Sequence, residues 1–441
     1  MESINKNHLT EVLNEYEKDS KNKIIRHAVC DIDIATASYS QDTAKDADFK
    51  FDIDIKTLPV TNQRSSGRCW IFAATNVLRE AIAKRLDLDK FELSQSYVAF
   101  YDKLEKLNFV CEALIENIEK DYDDRTVQFL VQSAMGDGGQ WDMFVNIVKK
   151  YGICPKNAYI ETFTSSNTLH INRLCNAELR RFASESKKVY AEKGIEGVKA
   201  LKNDLMDRYY RALVSCYGIP PKSFDFEYVD KDKKYHLEKG MTPESFFEKY
   251  IGSSIDEYVS CINAPTKTKP FHRSYTVKYL GNVVGGKRVT HLNLPMERLK
   301  EVILAQLKDN QIVWFGSDVS FYGDRSIGYW DDQRFDFKSL LDLDIKMDKG
   351  ESLDYRASAM NHAMCIVGVA FRDGVPSKWK IENSWGSAGQ DGFYFMSSTW
   401  FDQYTYQAVV NKKYLTKEEL AEYNAEPIEL KPWDPMGSLA D

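Results

Sequence analysis

Apolar residues recur with different periods in the two halves of this chain. Over 70–86 they stand three or four positions apart, with further apolar residues between them, which is typical of a helix buried on most sides. From about residue 286 the pattern changes, because 312–315 and 363–371 are compact apolar runs and 379–382 alternates with period two. A helical first half and a strand-rich second half predict an α+β protein with its site between two lobes.

Two other segments have distinct patterns. Residues 1–60 predict a helix followed by a polar strap. Residues 170–218 predict an exposed helix that stops at the Gly-Ile-Pro-Pro of 218–221. This helix carries a narrow apolar stripe, which either packs on its own domain or contacts another subunit, and the pattern favours neither. The members of the stripe stand four residues apart: Leu201, Leu205, Tyr209 and Leu213.

Composition and charge narrow the function classes. The 441 residues are 43 % hydrophobic and 28 % charged, which fits two or three folded domains or one catalytic domain with large insertions. The net charge of −7 gives no electrostatic reason to expect nucleic acid. The polar segment 1–20 lacks the apolar core of a signal peptide, and the longest apolar run, 363–371, is about half a bilayer span. We therefore expect a cytoplasmic protein with no membrane and no nucleic-acid partner.

One of the eight cysteines differs from the others in its setting. None of the eight forms a CxxC pair or stands at zinc-finger spacing to one of the seven histidines, so we expect reduced thiols and no metal or cofactor. Cys69, however, lies at the start of the buried helix. A helix N-terminus supplies N–H groups and partial positive charge that stabilise an anion, and the thiolate is the nucleophilic form of cysteine. Cys69 is therefore the candidate nucleophile.

A base for this thiol is found at the start of a predicted strand. His362 opens the apolar run 363–371, whereas the other six histidines lie in polar surroundings. If this run and 379–383 form an antiparallel hairpin around 372–374, facing residue numbers sum to about 745, and 362 + 383 = 745. The side-chain carbonyl of Asn383 would then accept a ring N–H and leave the other nitrogen for the thiol.

Two more side chains complete the candidate site. Gln63 stands six residues before Cys69, a distance across which a loop folds back, so its amide and the Cys69 N–H can bind the oxyanion of a tetrahedral intermediate. Trp385, two residues after Asn383, can cover the hydrogen bond between histidine and asparagine. Each residue by itself is more often structural, and their occurrence together carries the hypothesis.

These residues resemble the motifs of the papain-like cysteine peptidases. The matching segments are Gln-Arg-Ser-Ser-Gly-Arg-Cys-Trp at 63–70, Leu-Ser-Gln at 93–95, Gly-Asp-Gly-Gly at 136–139, Asn-His-Ala at 361–363 and Glu-Asn-Ser-Trp-Gly at 382–386. The resemblance implies a two-lobe fold, with a helical lobe and a β-barrel-like lobe. It also implies catalytic roles for Cys69, His362, Asn383 and Gln63.

Two departures from that family point to one branch of it. Neither disulfides nor a pro-segment are evident, and the separation of Cys69 from His362 is 362 − 69 = 293 residues, against about 130–150 in the family. Both departures and the C-terminal sequence resemble the bleomycin hydrolase and aminopeptidase C branch. The branch implies a helical insertion that hooks six subunits into a barrel, and a C-terminal arm whose terminal carboxylate receives the substrate's α-amino group. In this chain, Asp441 follows the alanine at which such arms often end.

The resemblance divides the chain into five parts and nominates residues that bind substrate. The parts are the N-terminal helix and strap (1–60), the helical lobe (61–164), the helical insertion (165–270), the β-rich lobe (271–425) and an extended C-terminal arm in the cleft (426–441). The nominated substrate-binding residues are Gly138, Gly139, Trp385 and Asp441.

The resulting hypothesis is a homohexameric cysteine-type aminopeptidase. Cys69 would form an acyl-enzyme and release N-terminal residues from peptides with a free N-terminus. A papain-like endopeptidase is the alternative if the arm is mobile. An oligomeric binding protein on the same scaffold is a third possibility, and the intact set of Gln, Cys, His and Asn argues against it.

Overall fold

The helical lobe is built around the helix that the sequence predicts after the nucleophile. The computed structural model describes residues 1–42, 48–133, 135–325 and 327–440. Helix Cys69–Leu86 has thirteen buried residues among its eighteen, which confirms a helix covered on most sides. It packs on helices Gln95–Glu116 and Trp141–Tyr151 and, on its other side, on strand His362–Arg372. The nucleophile candidate therefore lies where the two lobes meet.

The helices concentrate in the first half of the chain. The α-helices are Lys6–Lys18, Ser20–Asp31, Ile34–Ala37, Cys69–Leu86, Gln95–Glu116, Arg125–Ser133, Trp141–Tyr151, Phe163–Ser166, Leu169–Tyr217, Pro243–Tyr250, Met296–Lys308, Phe337–Leu341, Lys349–Asp354, Ser398–Tyr404 and Lys417–Tyr423, with an irregular turn at Ala388–Asp391. Short 3₁₀ helices are Lys156–Ala158, Gly252–Glu257, Lys412–Tyr414 and Pro435–Ala440. None of the described helices has both the length and the apolar character needed to cross a bilayer.

The second half forms one large sheet. Strands Thr405–Asn411, Val313–Ser317, His362–Arg372, Val375–Glu382 and Phe393–Ser397 follow one another across its centre. Over the described residues the sheet has twelve strands, and their hydrogen-bonded path is open instead of closing into a barrel. The other members are Ile53–Asp54, Tyr258–Ile262, Arg273–Val277, His291–Asn293, Gly323–Asp324, Tyr329–Trp330 and Ile428–Leu430. Phe224–Val229 and Tyr235–Met241 form a separate hairpin.

The predicted hairpin of the candidate base is present, with a corrected register. Cys365 faces Glu382 and Arg372 faces Val375, so facing numbers sum to 747 at both ends of the ladder, and they sum to 748 between its two register shifts, against the 745 expected. The turn is the pair Asp373–Gly374, whose φ angles of 54° and 81° fit the two-residue turns that Asp-Gly favours. The turn is centred further along the chain than predicted, and two register shifts interrupt the ladder.

The apolar stripe belongs to a helical hairpin. Segment Leu169–Tyr217 is interrupted at Gly194, where φ is 63°, and the two halves fold back on each other. The Cys175 thiol contacts the Tyr209 hydroxyl at 3.1 Å, which requires an antiparallel arrangement. Leu205, Tyr209 and Leu213 are buried and Leu201 is half-buried within the single chain, so the stripe packs on its own chain.

Two boundaries differ from those expected from the sequence. Strand Tyr258–Ile262 pairs with Thr405–Asn411, so one strand of the large sheet lies within the stretch 165–270. The chain beyond residue 426 is extended only over Ile428–Leu430, and its last residues form the short helix Pro435–Ala440. A proline at the first helical position lacks only an N–H that would be unpaired there, so Pro435 starts this turn instead of preventing it.

Candidate active site

Cys69 is the first residue of its helix and lies beside the strand that begins with His362. No side chain caps the helix at Arg68, so the helix N-terminus is open toward the thiol. The backbone N–H of Ala363 donates to the Cys69 sulfur at 3.5 Å, which brings the two lobes into contact at this atom. The thiol is 4 % exposed. It is thus held between helix and strand as the sequence predicts.

The hydrogen bonds around His362 assign its tautomer. The backbone N–H of Ser384 donates to Asn383 Oδ1 at 2.8 Å, so this atom is the amide oxygen and accepts. The same oxygen lies 2.9 Å from His362 Nε2, which must therefore carry a proton. The other ring nitrogen, Nδ1, is left unprotonated as a base. Trp385 stacks on the imidazole with ring centroids 4.7 Å apart and covers this hydrogen bond.

The residue before the histidine anchors the start of the strand. Asn361 donates to Asp318 Oδ1 at 2.6 Å and to Ser320 Oγ at 2.7 Å, and it accepts the Val319 N–H at 3.0 Å. His362 itself pairs with Ser317 in the sheet. The imidazole is therefore carried by the start of a strand that is held by the Asn361 side chain and by pairing with Ser317.

Gln63 has one amide hydrogen available beside the thiol. Its Nε2 donates to the Ser66 carbonyl at 2.6 Å, and its Oε1 accepts from Ser384 Oγ at 2.6 Å. Its backbone N–H donates to the Ser384 carbonyl at 2.8 Å. These bonds fix the amide orientation and occupy one of its two N–H groups. The second is free to donate to an oxyanion formed next to Cys69.

The Asp-Gly-Gly segment forms the opposite wall of the site. The Asp137 carboxylate accepts the Gly67 N–H at 2.9 Å and pairs with buried Lys103 at 2.6 Å. Although burial opposes it, this cation and the hydrogen bonds hold the pKa of Asp137 below its usual range. Gly139 lies against Trp70, where an added Cβ would be 2.6 Å from the ring. Gly138 faces the cleft.

The C-terminal arm contacts Gly138. A Cβ added to Gly138 would be 2.2 Å from the carbonyl oxygen of Leu439. Leu439 is buried, and Ser438 Oγ donates to the Met360 carbonyl at 2.7 Å. Ala440 is the last described residue, so the expected role of Asp441 lies outside the described residues.

Three contacts fasten the arm further back. Lys269 pairs with Asp434 at 2.9 Å, and the lysine side chain is 3 % exposed. Arg356 donates to the Trp433 carbonyl at 2.7 Å. The Arg125 guanidinium lies over the Trp433 ring, 3.8 Å from its centroid. The arm is therefore bound along its length and not only at its tip.

Burial keeps the Cys69–His362 pair uncharged in this arrangement. It raises the pKa of the Cys69 thiol to about 11, against the opposing effect of the Ala363 N–H. It lowers the pKa of the His362 imidazole to about 4, against the opposing effect of the bond to Asn383. Near neutral pH the sulfur therefore keeps its proton and the imidazole can accept it.

Several residues of the site carry no signal that sequence reasoning could use alone. Ser66 and Ser384 orient Gln63, and Lys103 sits one helix away from Asp137. Ser66 is only three residues from Gln63, but Ser384 and Lys103 are 321 and 34 residues from their partners, so only the fold brings those pairs together. In the described ranges, no three His, Cys, Asp or Glu side chains are grouped as metal ligands.

A helical lobe and a sheet lobe, joined where a cysteine helix meets a histidine strand, define a papain-like α+β fold. The model of the Peptidase C1-like family matches residues 3–437, and the chain belongs to this family.

This chain is similar to known proteins and to a solved structure along nearly its whole length. Aminopeptidase C of Lactobacillus delbrueckii subsp. lactis is 48 % identical over 412 residues, which cover 92 % of this chain and 92 % of that protein. Aminopeptidase C of Streptococcus thermophilus is 44 % identical, with 100 % of both chains covered. The crystal structure of PepW from Lactobacillus rhamnosis HN001 superposes with a TM-score of 0.96 at 41 % identity and covers 99 % of each chain.

Proposed function

We propose that this protein is a cysteine-type aminopeptidase in which the C-terminal arm converts a papain-like cleft into an exopeptidase site. The observation that carries the proposal is the contact of Leu439 with Gly138, because the arm then fills one end of the cleft beside Cys69. A peptide can extend from the thiol only away from the arm. The names of the relatives, aminopeptidase C from two organisms, support the same activity.

The site residues suggest the course of the reaction. As the Cys69 sulfur attacks the first peptide carbonyl, its proton passes to His362 Nδ1, while Asn383 holds the ring by its Nε2–H. Gln63 Nε2 and the Cys69 N–H stabilise the oxyanion. The imidazolium then protonates the departing amine and leaves a thioester. A water molecule gives its proton to Nδ1 and attacks the thioester, the C–S bond breaks to release the N-terminal amino acid, and the proton returns from Nδ1 to the Cys69 sulfur.

The arm would also recognise the substrate's amino group. In the proposed role, Asp441 would supply a carboxylate to the substrate ammonium, a charge-assisted contact that strengthens where water is partly excluded. Gly138 and Gly139 would supply backbone groups to the substrate, with Trp385 at the other side of the histidine.

A matched pair of peptides tests the proposal. A peptide with a free N-terminus should lose residues one at a time, its N-acetylated twin should remain intact, and Cys69→Ala should abolish the release. Internal cleavage of both peptides would replace the aminopeptidase by an endopeptidase. Activity that persists in Cys69→Ala would refute the thiol mechanism.

We further propose that the protein works as a cytoplasmic homohexamer of the bleomycin hydrolase type, with residues 165–270 contributing to subunit contacts. Exposed apolar side chains support self-association. Helices Lys6–Lys18 and Ser20–Asp31 bury no residue in the single chain and expose Leu9, Leu13 and Ile24. Light scattering coupled to size-exclusion chromatography should give about six times the chain mass, and a stable monomer would contradict the assembly.

A further inference from the structure

The end of the cleft beyond His362 differs in character from the end that holds the arm. The arm contacts Gly138 and the Met360 carbonyl. Beyond the imidazole, Trp385 stacks on His362 and bridges to Asn62. We call the cleft surface around Trp385 the leaving-group end. Under the proposed function, on which this inference rests, the departing part of the peptide lies here.

A single arginine marks the leaving-group end. The Arg325 guanidinium lies over the Trp385 ring, 4.7 Å from its centroid, and the side chain is exposed. The adjacent Asp324 is directed to Arg334 at 3.7 Å instead. Among the described residues, no carboxylate forms an ion pair with Arg325. The guanidinium thus lies in cation–π contact with an aromatic ring, and its N–H groups keep the capacity to bind an anion.

The position of this cation matches the chemistry of a departing peptide. Trp385 stacks on His362, and the Arg325 guanidinium lies over the same side chain, so one indole contacts both the base and the cation. The positive charge of Arg325 is felt at the imidazole, where it contributes to the lowered pKa of His362. One residue extends a peptide by about 3.5 Å. We therefore expect a carboxylate on the first residue after the cleaved bond to approach the guanidinium.

We propose that Arg325 is a specificity-determining residue that binds a carboxylate on the first residue of the leaving group. A guanidinium offers paired N–H donors that match a carboxylate, and stacking on an indole holds its plane in place. Two sources supply such a carboxylate: the C-terminus of a dipeptide, or an Asp or Glu side chain in a longer peptide. Both present the same charge at the same end of the cleft.

Four substrates with free N-termini separate these sources. Leu-Ala and Leu-Ala-amide differ in the terminal carboxylate, and Leu-Glu-amide and Leu-Gln-amide differ in the side-chain carboxylate. The wild-type protein should hydrolyse at least one charged member with a kcat/KM about tenfold above its neutral twin, the size of effect expected for one charge-assisted contact at a partly exposed site. Raising the salt concentration should reduce this ratio.

Three variants identify the residue responsible. Arg325→Gln should bring the ratio close to one, whereas Arg325→Lys should keep part of it because the charge remains without the paired donors. Arg211→Gln removes the same charge from an exposed position on the helical hairpin and should leave the ratio as in the wild type. Circular dichroism and the melting temperature of each variant show whether it is folded. If Arg325→Gln does not fold, Arg325→Lys and the salt series still test the inference.

The outcomes are distinct. If Arg325→Gln loses the kcat/KM ratio only for Leu-Ala over Leu-Ala-amide, Arg325 binds the terminal carboxylate. If it loses the ratio only for Leu-Glu-amide over Leu-Gln-amide, Arg325 binds the acidic side chain. Equal ratios in wild type and Arg325→Gln for both pairs would overturn the inference and leave the aminopeptidase intact. If the wild type hydrolyses none of the four, the proposed function and this inference fail together.

Discussion

The carbonyl oxygen of Leu439 lies so close to Gly138 that a Cβ added to the glycine would be 2.2 Å from it. Since a backbone carbonyl cannot rotate away as a flexible side chain can, Gly138→Ala must displace either the arm or the glycine loop. We expect kcat/KM for free N-terminal peptides to fall at least about tenfold, a cost of roughly 1.4 kcal/mol in transition-state binding. Gly437→Ala is the control within the arm, because a Cβ there meets Val277 at an ordinary 3.5 Å.

The second prediction concerns the buried fastening of the arm. Lys269→Met removes the partner of Asp434 and leaves a largely buried carboxylate unpaired, which should lower the free energy of unfolding by up to about 3 kcal/mol. We also expect the loosened arm to admit N-acetylated peptides, measured as new internal cleavage. Lys413→Met breaks an ion pair in which both side chains are 49 % exposed and should change the free energy of unfolding far less, because solvent screens an exposed pair. Equal effects of the two variants would contradict this role of Lys269.

The third prediction concerns the oxyanion site. Gln63→Ala removes the available amide hydrogen, so kcat should fall by roughly 10²–10³ with KM changed far less. Ser384→Ala removes only the hydroxyl that orients Gln63 and should have a smaller effect. If Ser384→Ala were as damaging as Gln63→Ala, or if KM alone changed, the amide would not act on the transition state.

The fourth prediction concerns the pH profile of catalysis. Burial penalises the imidazolium form and lowers the pKa of His362 to about 4, so the imidazole stays competent as a base well below its usual range. The acid limb of kcat/KM should therefore lie near pH 4 and not near 6.5. Asn383→Ala removes a bond that favours the charged ring, which should move the limb to lower pH and reduce the rate. A limb at 6.5 in the wild type would contradict a buried base.

The fifth prediction concerns stability at acidic pH. Burial lowers the pKa of His291 to about 4, and its Nδ1 forms a hydrogen bond with the Ser260 hydroxyl at 2.7 Å. The unfolded chain therefore binds a proton between pH 6.5 and 4 that the folded chain does not. Stability should fall as the pH falls through this window, by about 3 kcal/mol for this residue.

A paired set of denaturation curves isolates that contribution. Urea unfolding of the wild type and of His291→Asn at pH 7 and pH 4.5 gives the difference that belongs to the imidazole. The variant should lose less stability on acidification than the wild type, whatever the carboxylates contribute to both. An identical loss would show that His291 is not buried in its neutral form.

Local sequence was sufficient for the elements that carry the candidate catalytic residues. The helix after Cys69 follows from dense apolar spacing, and the hairpin of His362 follows from two apolar strands around Asp-Gly. Both depend on neighbours in the chain, which is why the pattern predicts them. The register differs by two to three positions from the expected sum of about 745, because it depends on the whole ladder, which contains two register shifts and also pairs with Ile53–Asp54.

Side chains that work through distant partners could not be predicted. Lys269 pairs with Asp434, which is 434 − 269 = 165 residues further along the chain. The local sequence around either residue does not predict this ion pair. The sequence does not predict a binding role for Arg325, because its contact with Trp385 forms only in the folded chain. The apolar stripe that includes Leu205 and Leu213 fits either packing on its own chain or a subunit contact. The turn at Gly194 decides for packing on its own chain.

Short-range spacing is enough to indicate the class of chemistry, because it places a cysteine before a buried helix, a histidine at the start of a strand and an asparagine across a tight turn. The positions of the arm and of the proposed leaving-group end follow only from the folded chain. Those features depend on where Leu439 and Arg325 come to rest against residues far along the chain. Such contacts form by burial and charge pairing in three dimensions, and a linear pattern does not encode them.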